Sequence, residues 1–367
     1  MPEKNNIKDF WEVGTTYSNN LSIESSNDKT AFRTSLSYLN NEWMMPNTGL
    51  DRWSAAVSVD HKINEKLKTN VKLSYNQTKS DNLPATGYNN QSISYFMIFQ
   101  NPNVDLAWYK PIWKTGQEQV DQIHPFSSYI DNPYLIAYEM TNSLNKKNIT
   151  GNISLNYQIN KHFDVLLRSG MIWNDEIRTQ RRPWSSANYL QGYYREQYVN
   201  GLNFNNDLMI NYKNTFGAIN FSATLGGGSQ YEEQVTKDYF ALGLKKAGVY
   251  NLTNAVTQRF DIPRPFDKQV NSAYGLATFS YQDKIFLDVT ARNDWSSTLP
   301  KANRSYFYPS VASSFILSDI FNLKSNKFNY WKLRASWSKV GNDTNPYQLQ
   351  NYYNPSLSFP GSVELSS

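Results

Sequence analysis

The chain has 367 residues with 26 Tyr, 19 Phe and 10 Trp, no Cys, three His and a net charge of +5, long enough for a large core in one domain or two. The aromatics exclude a disordered chain, and no apolar run approaches the ~20 residues of a membrane helix. The missing thiols exclude disulfides and thiolate zinc sites. His61, His124 and His162 form no HxH or HxxxH pair, so neither a histidine-rich metal site nor a cofactor is expected. A mildly basic chain with both signs interspersed does not by itself name an anionic partner.

The opening residues, MPEKNNIKDFW, carry no apolar h-region of the signal-peptide kind, which leaves a cytoplasmic protein or a piece of something longer. Beyond them the hydrophobic period is two. Trp53, Ala55, Val57 and Val59 alternate with Ser54, Ala56, Ser58 and Asp60, and Val71, Leu73 and Tyr75 with Lys72, Ser74 and Asn76. Strands are expected at 13–24, 30–42, 51–61 and 67–78, with the tight links SSNDK (25–29) and KINEK (62–66) between partners.

A long connection from Ser80 to Lys146 follows, in which NQSISYFMIFQNP (90–102) and PYLIAYEMTNS (133–143) each suit a short helix. Its aromatics Tyr88, Tyr95, Phe96, Trp108, Tyr109 and Trp113 are candidates for substrate contact. An aromatic face packs on the apolar face of a sugar, and Asn and Gln supply hydrogen bonds. The plainer reading, which is favoured, packs them within the loop or against a partner protein.

Period two resumes with Ile149, Ile153, Leu155, Tyr157 and Ile159 facing one way and Thr150, Asn152, Ser154, Asn156 and Gln158 the other. Strands are expected at 147–159, 161–176, 191–213 and 216–231. The basic patch RTQRRPW (178–184) stands alone, whereas a nucleic-acid groove needs several such patches. It is expected in a solvated loop, or against lipopolysaccharide phosphates. Asp175–Glu176 and Glu232–Glu233 fall short of a calcium coordination set and are read as solvated charge. LGGGSQYEE (225–233) lacks the Gly-Lys-Ser/Thr of a phosphate loop, so its glycines are read as letting a strand bend near a rim.

The last strands are expected at 269–282, 284–296, 304–318 and 330–342, after a long link from Glu232 to Gln269. The strands at 284–296 and 304–318 read as a hairpin whose polar part includes Arg292, Asn293, Asp294, Trp295, Ser296 and Ser297. No histidine follows His162, so neither serine has a base nearby in sequence, and Arg292 and Asp294 read as polar support for the loop. No pair of acids is placed for glycoside hydrolysis either, and an enzyme is not expected.

About twelve strands whose links alternate tight and long define an all-β fold. It is read as an antiparallel transmembrane β-barrel segment with short periplasmic turns and long extracellular loops. Trp11, Trp53, Tyr281, Trp295 and Trp337 suit its interfacial girdles.

Four segments resemble one family, in order. They are KTAFRTSLSYLNNEWMMPNTGLDRWSAAVSVDHKINEKLKTNVKLSYNQTKSDN (29–82), DNPYLIAYEMTNSLNKKNITGNISLNY (131–157), FLDVTARNDWSSTLPKANRSYFYPSVASSFILSD (286–319) and WKLRASWSKVGNDTNPYQL (331–349). Together they are similar to the barrel of SusC/RagA-type TonB-dependent outer-membrane transporters of Bacteroidetes. The resemblance implies an outer-membrane importer of oligosaccharides or peptides, energised through TonB and capped by a SusD-like surface lipoprotein. It further implies that residues 1–367 are a partial barrel domain. The signal peptide, plug and TonB-contacting segment would precede it, the closing strands would follow it, and it would be inactive alone. The alternative is a passive surface or adhesin-like outer-membrane β-protein.

Overall fold

The computed structural model of the chain describes residues 4–88, 92–125, 129–323, 329–349, 354–359 and 362–366. Thirteen antiparallel strands form one sheet: β1 (Thr15–Ser26), β2 (Thr30–Glu42), β3 (Gly49–Lys62), β4 (Leu67–Ser80), β5 (Asn142–Gln158), β6 (Phe163–Ser186), β7 (Tyr189–Phe216), β8 (Ile219–Leu244), β9 (Ala255–Asp261), β10 (Phe266–Tyr281), β11 (Ile285–Ser296), β12 (Ser305–Ile316) and β13 (Lys332–Ser338). Neighbours in sequence are neighbours in the sheet, except that β10 pairs with β8 while β9 pairs with β8 further along. Residues Asn354–Phe359 and Ser362–Ser366 make a separate two-stranded ribbon. The helices are short: α1 (Ile93–Phe99) and α2 (Pro133–Tyr138) in the β4–β5 connection, and α3 (Leu317–Ile320) between β12 and β13. No described helix is long and apolar enough to cross a membrane.

All twelve expected strands are present. The register sorts their side chains by chemistry. Across one row Leu155, Leu167 and Leu208 lie side by side, and across another Tyr157, Val165, Ile210 and Leu225. On the opposite face the row Ser154, Arg168, Asp207, Gly228, Ser272 and Asp294 runs through six strands. Leu208, Leu225 and Ile153 stay exposed although apolar, as lipid-facing residues of a barrel do, while the polar face turns to the lumen.

The tight links share one end of the sheet, and three are built alike. Asn27 Oδ1 accepts from the Lys29 and Thr30 amides at 2.9 and 2.8 Å, Asn64 Oδ1 from Lys66 and Leu67 at 2.8 and 2.9 Å, and Asn160 Oδ1 from His162 and Phe163 at 2.8 and 3.0 Å. Each side chain mimics a backbone turn and fixes the reversal. Just above this end an aromatic band crosses the apolar face from Phe163 to Tyr212, Phe221 and Phe279, with ring centroids 4.7, 5.9 and 4.7 Å apart. At the other end Tyr38 and Trp53 pair at 4.4 Å. These bands match interfacial girdles. Trp53, Tyr281, Trp295 and Trp337 are exposed on the apolar face, but Trp11 is not on the sheet and packs edge-on against Phe10.

The other end differs from expectation in two places. Strands β6, β7 and β8 have 24, 28 and 26 residues, well beyond the ~9–11 that cross a bilayer. Much of what the pattern predicts as loop is therefore strand, and RTQRRPW lies on the β6 extension, paired with β7. The long link after Glu232 is mostly the end of β8 and the added strand β9. A small core of Tyr194, Ala241, Leu244 and Ala255 holds this extension together.

Candidate functional site

The β4–β5 connection is a packed body. Ser92 caps α1 by accepting from the Tyr95 amide, and Asn132 caps α2 through the Tyr134 and Leu135 amides, each satisfying orphan N–H groups of a first turn. Ile93 and Phe96, three apart on α1, point into a core with Leu106, Tyr109, Leu135 and Ile136. Phe10 from the N-terminal segment and Met45 from the β2–β3 link complete it. The body is closed at its neck. The Leu83 amide donates to the Asn142 carbonyl at 2.7 Å, the Asn142 amide to Asn82 Oδ1 at 3.1 Å, and Asn142 Nδ2 to the Leu83 carbonyl at 3.1 Å.

The body leans on the tip of the β6–β7 hairpin through a buried polar cluster. Asp131 accepts from Gln122 Nε2 at 2.8 Å, Ser186 Oγ at 2.9 Å and the Ala187 amide at 2.7 Å. Burial raises the Asp131 carboxyl above its ordinary range, against the pull of these three donors. Lys114, donating to Asp121, holds that carboxyl below its ordinary range. Arg182 of the basic patch is itself buried and donates to the Thr141 carbonyl and Asn142 Oδ1, so the patch is in part a structural brace. Glu176 is also buried, beside Lys146 at 3.5 Å and bonded to Arg178, which corrects the reading of it as solvated charge.

A Ser-His-Asp grouping emerges here that sequence order did not suggest. Ser185 Oγ lies 3.3 Å from His124 Nε2 and donates to Asp121 Oδ1 at 3.1 Å. Asp121 also faces Nε2, at 3.9 Å, while His124 Nδ1 is buried without a partner. A relay needs the carboxylate on the nitrogen away from the serine. This geometry lacks that and serves as support.

The six loop aromatics divide. Phe96, 0% exposed, and Tyr109 meet edge-on in the core at 6.2 Å, and Trp113 packs against it from the Trp113–Gln122 bridge. Tyr88 and Trp108 are 72% and 65% exposed. Tyr95 joins Tyr88 and Phe99 in a surface cluster with centroids 4.8 and 4.9 Å away.

The hairpin residues divide as well, by strand parity. Arg292 and Asp294 share the lumenal face and pair at 2.7 Å, and Arg292 also donates to Ser272 Oγ at 2.7 Å. Asn293 and Trp295 face the other way, with Asn293 Nδ2 donating to Ser305 Oγ at 2.9 Å. Ser296 is buried and donates to Asp343 Oδ2 at 2.6 Å, and Asp343 pairs with Lys268 at 2.7 Å. Ser297 Oγ accepts from the Gln269 amide at 2.9 Å.

Sequence reasoning missed the middle of the lumenal wall. Arg168 pairs with Asp207 at 2.8 Å, and Tyr274 donates to Asp207 at 3.2 Å. Gly226 and Gly228 lie beneath them mid-strand. A Cβ at 226 would meet the Tyr274 ring at 2.5 Å and one at 228 would meet Asp207 Oδ1 at 2.8 Å. They make room for these side chains, and their mid-strand position corrects the reading of a bend near the rim. The available signal was their spacing of two, which puts both on one face.

The geometry defines an outer-membrane β-barrel wall with a structured loop end. No protein-family model matches the chain. It is 27% identical over 346 residues to TonB-dependent receptor P26 of Formosa agariphila, covering 91% of this chain and 33% of that relative. It is 23% identical over 362 residues to TonB-dependent receptor SusC of Bacteroides thetaiotaomicron, covering 90% and 34%. The RagAB peptide importer in its open-open state superposes with a TM-score of 0.78 at 17% identity over 99% of this chain and 40% of that one. The ferripyoverdine receptor of Pseudomonas aeruginosa superposes at 0.54 and 11% identity over 83% and 40%. The resemblance to SusC/RagA-type TonB-dependent receptors thus holds over about nine-tenths of the chain in sequence and nearly all of it in fold. The chain spans about a third of the length of these curated relatives.

Proposed function

We propose that the chain forms part of the barrel of an outer-membrane importer that takes up oligosaccharides or peptides, is energised through TonB and works with a SusD-like lipoprotein. The observation that carries this is a single sheet with one lipid-type face and one face of paired charges and amides. The names of the relatives support it: SusC is a TonB-dependent receptor and RagAB a peptide importer. On this reading residues 1–367 are part of a barrel domain. The outer edges of β1 and β13 have no partner strand among the described residues, and each unpaired backbone group in lipid costs several kcal/mol. Further strands therefore close the wall, and this stretch alone does not transport.

The test is uptake of labelled oligosaccharides and peptides by the host strain with and without the gene, each with and without a protonophore. Uptake lost in both the deletion and the uncoupled cells fits the proposal. Gene-dependent uptake that survives uncoupling favours a passive β-protein, and uptake indifferent to the gene removes the transport reading.

A further inference from the structure

We propose that residues 339–349 form a strap that gates the lumen at its extracellular end, latched by one carboxylate, Asp343, and hinged where β13 leaves the sheet. The gate rests on the import reading above; the latch does not.

The strand expected over 330–342 stops at Ser338, and its partner strand explains why. The register places Lys339 opposite Pro309, one step beyond the Ser310–Ser338 pair. The Lys339 amide donates to the Pro309 carbonyl at 3.1 Å, but proline has no N–H to return the bond, so the ladder ends there. The chain then turns inward and crosses the lumenal side of β12 and β11. Gly341 passes Tyr308, whose ring a Cβ at 341 would meet at 3.5 Å.

One side chain holds the far end. Asp343 accepts from Lys268 Nζ on β10 at 2.7 Å, from Ser296 Oγ at the end of β11 at 2.6 Å and from Thr298 Oγ1 at 3.4 Å. Burial pushes its carboxyl up, but Lys268 and Ser296 outweigh burial and hold it below its ordinary range. Arg264, in the link between β9 and β10, lies over the Tyr347 ring at 4.8 Å. Nothing apolar reinforces these contacts, since no residue from 339 to 349 is buried and Val340 is 81% exposed. Beyond Lys339 no backbone bond joins the strap to the wall among the described residues. A segment held by polar contacts alone lies at the low-stability end of a fold. A cavity of about 420 Å³, lined by Tyr306, Tyr308 and Arg292 on one side and residues 340–343 on the other, separates strap from wall. The strap therefore covers this part of the wall without packing onto it, and release of Asp343 frees it to swing about Lys339.

The test uses the whole transporter that contains this chain, free of cysteine outside the labelled sites and purified in detergent. Nitroxides at Asn345→Cys on the strap and Phe307→Cys on the lipid face of β12 report their separation by pulsed electron resonance. The parent is expected to give one narrow distance. Asp343→Ala and Lys268→Met should each broaden it, with at least a fivefold rise in the displaced population. Asp207→Asn, which breaks a lumenal pair away from the strap, should leave it narrow, and the exchange of Lys268→Asp with Asp343→Lys should restore it. A broad distance in the parent, an unchanged one in both single variants, or an exchange that restores nothing would overturn the latch. Gating is read separately. A reducible thiol cross-linker between Lys268→Cys and Asp343→Cys is expected to cut gene-dependent uptake of the labelled oligosaccharides or peptides at least tenfold, with recovery on reduction. Uptake unaffected by the cross-link would overturn the gate and leave the importer standing. Uptake indifferent to the gene would remove the importer and the gate with it, while the distances still decide the latch.

Discussion

The ring of Tyr274 on β10 occupies the space that a side chain at residue 226 on β8 would need, and the two residues are direct partners in the sheet register. The aromatic covers a bare stretch of strand, a device that keeps a glycine from weakening a sheet. Gly226→Ala must push the ring off Asp207 and away from the Arg292 guanidinium, 5.6 Å from its centroid. The expected loss is ~1–3 kcal/mol, as for other overpacked sites. Gly227→Ala meets only ordinary contact, with Ser272 O at 3.5 Å, and should leave stability unchanged or raised. Urea unfolding of the barrel in detergent micelles compares the two, and equal midpoints would refute the account.

The turn asparagines make a second prediction. Replacing Asn64 by Ala removes the acceptor for two amides at the reversal between β3 and β4, at a cost of ~0.5–1.5 kcal/mol per lost net hydrogen bond. The same substitution at Asn27 or Asn160 should cost a similar amount, whereas Asn214→Ala should cost less, because Asn214 Oδ1 accepts only from the Thr215 amide among the bonds seen there. Unfolding midpoints of the four variants, measured side by side, check the ranking.

Asp131 gives a pH dependence with a definite sign. Its carboxyl titrates above its ordinary value of 3.8 because it is buried, so the folded loop body holds a proton that the opened body releases. Its contribution is fully present below 3.8 and is lost as pH rises through the raised folded value. His124 and Arg182 are the charged or titratable groups that act on it electrostatically. Asp131→Asn should keep the bonds to Gln122 and the Ala187 amide and flatten this dependence, while Asp131→Ala should loosen the body at every pH. Hydrogen exchange of amides between residues 92 and 141 across pH 4–7 reads both, and a wild-type profile that tightens toward neutral pH would reverse the sign.

The face assignment is tested at Leu208, which sits between Leu167 and Gly227 on the apolar face. Leu208→Arg should cost ~2–4 kcal/mol, the figure for a basic residue near the bilayer midplane. Gln230→Arg, on the lumenal face, should cost much less. Refolding yield into vesicles and unfolding midpoints give the comparison, and similar losses would mean that the faces are misassigned.

How much of this was legible follows from where the environment alternates. Between Ile149 and Ile159 lipid on one side and water on the other impose period two, and the strand can be read off the sequence. Above the membrane that contrast ends. In IRTQRRPWSS (177–186) and EEQVTKDYFALGL (232–244) both faces are polar or packed, so the extensions of β6 and β8 look like loop, and β9 is only seven residues long. Among the loop aromatics, Phe96 carried a weak signal in its spacing from Ile93, which marks one face of a short helix. Nothing local separated buried Tyr109 from exposed Trp108, because Tyr109 packs on Phe96 within a core gathered from distant segments. The lumenal pairs Arg168–Asp207 and Lys268–Asp343 join residues 39 and 75 apart in sequence, the first brought together by the register of β6 against β7 and the second by the segment that follows β13.

The closed neck at Asn82 and Asn142 separates two kinds of change. Whatever lies between those residues begins and ends at nearly the same point, so its length has no lever on the register of β4 against β5. Loop-closure entropy grows only slowly with length, and the segment behaves as an exchangeable cassette seated on a fixed frame. At the opposite end one asparagine spans each of three reversals and leaves no slack for an insertion. Changes of length and sequence can therefore be accommodated at one rim of this wall while the other rim stays constant.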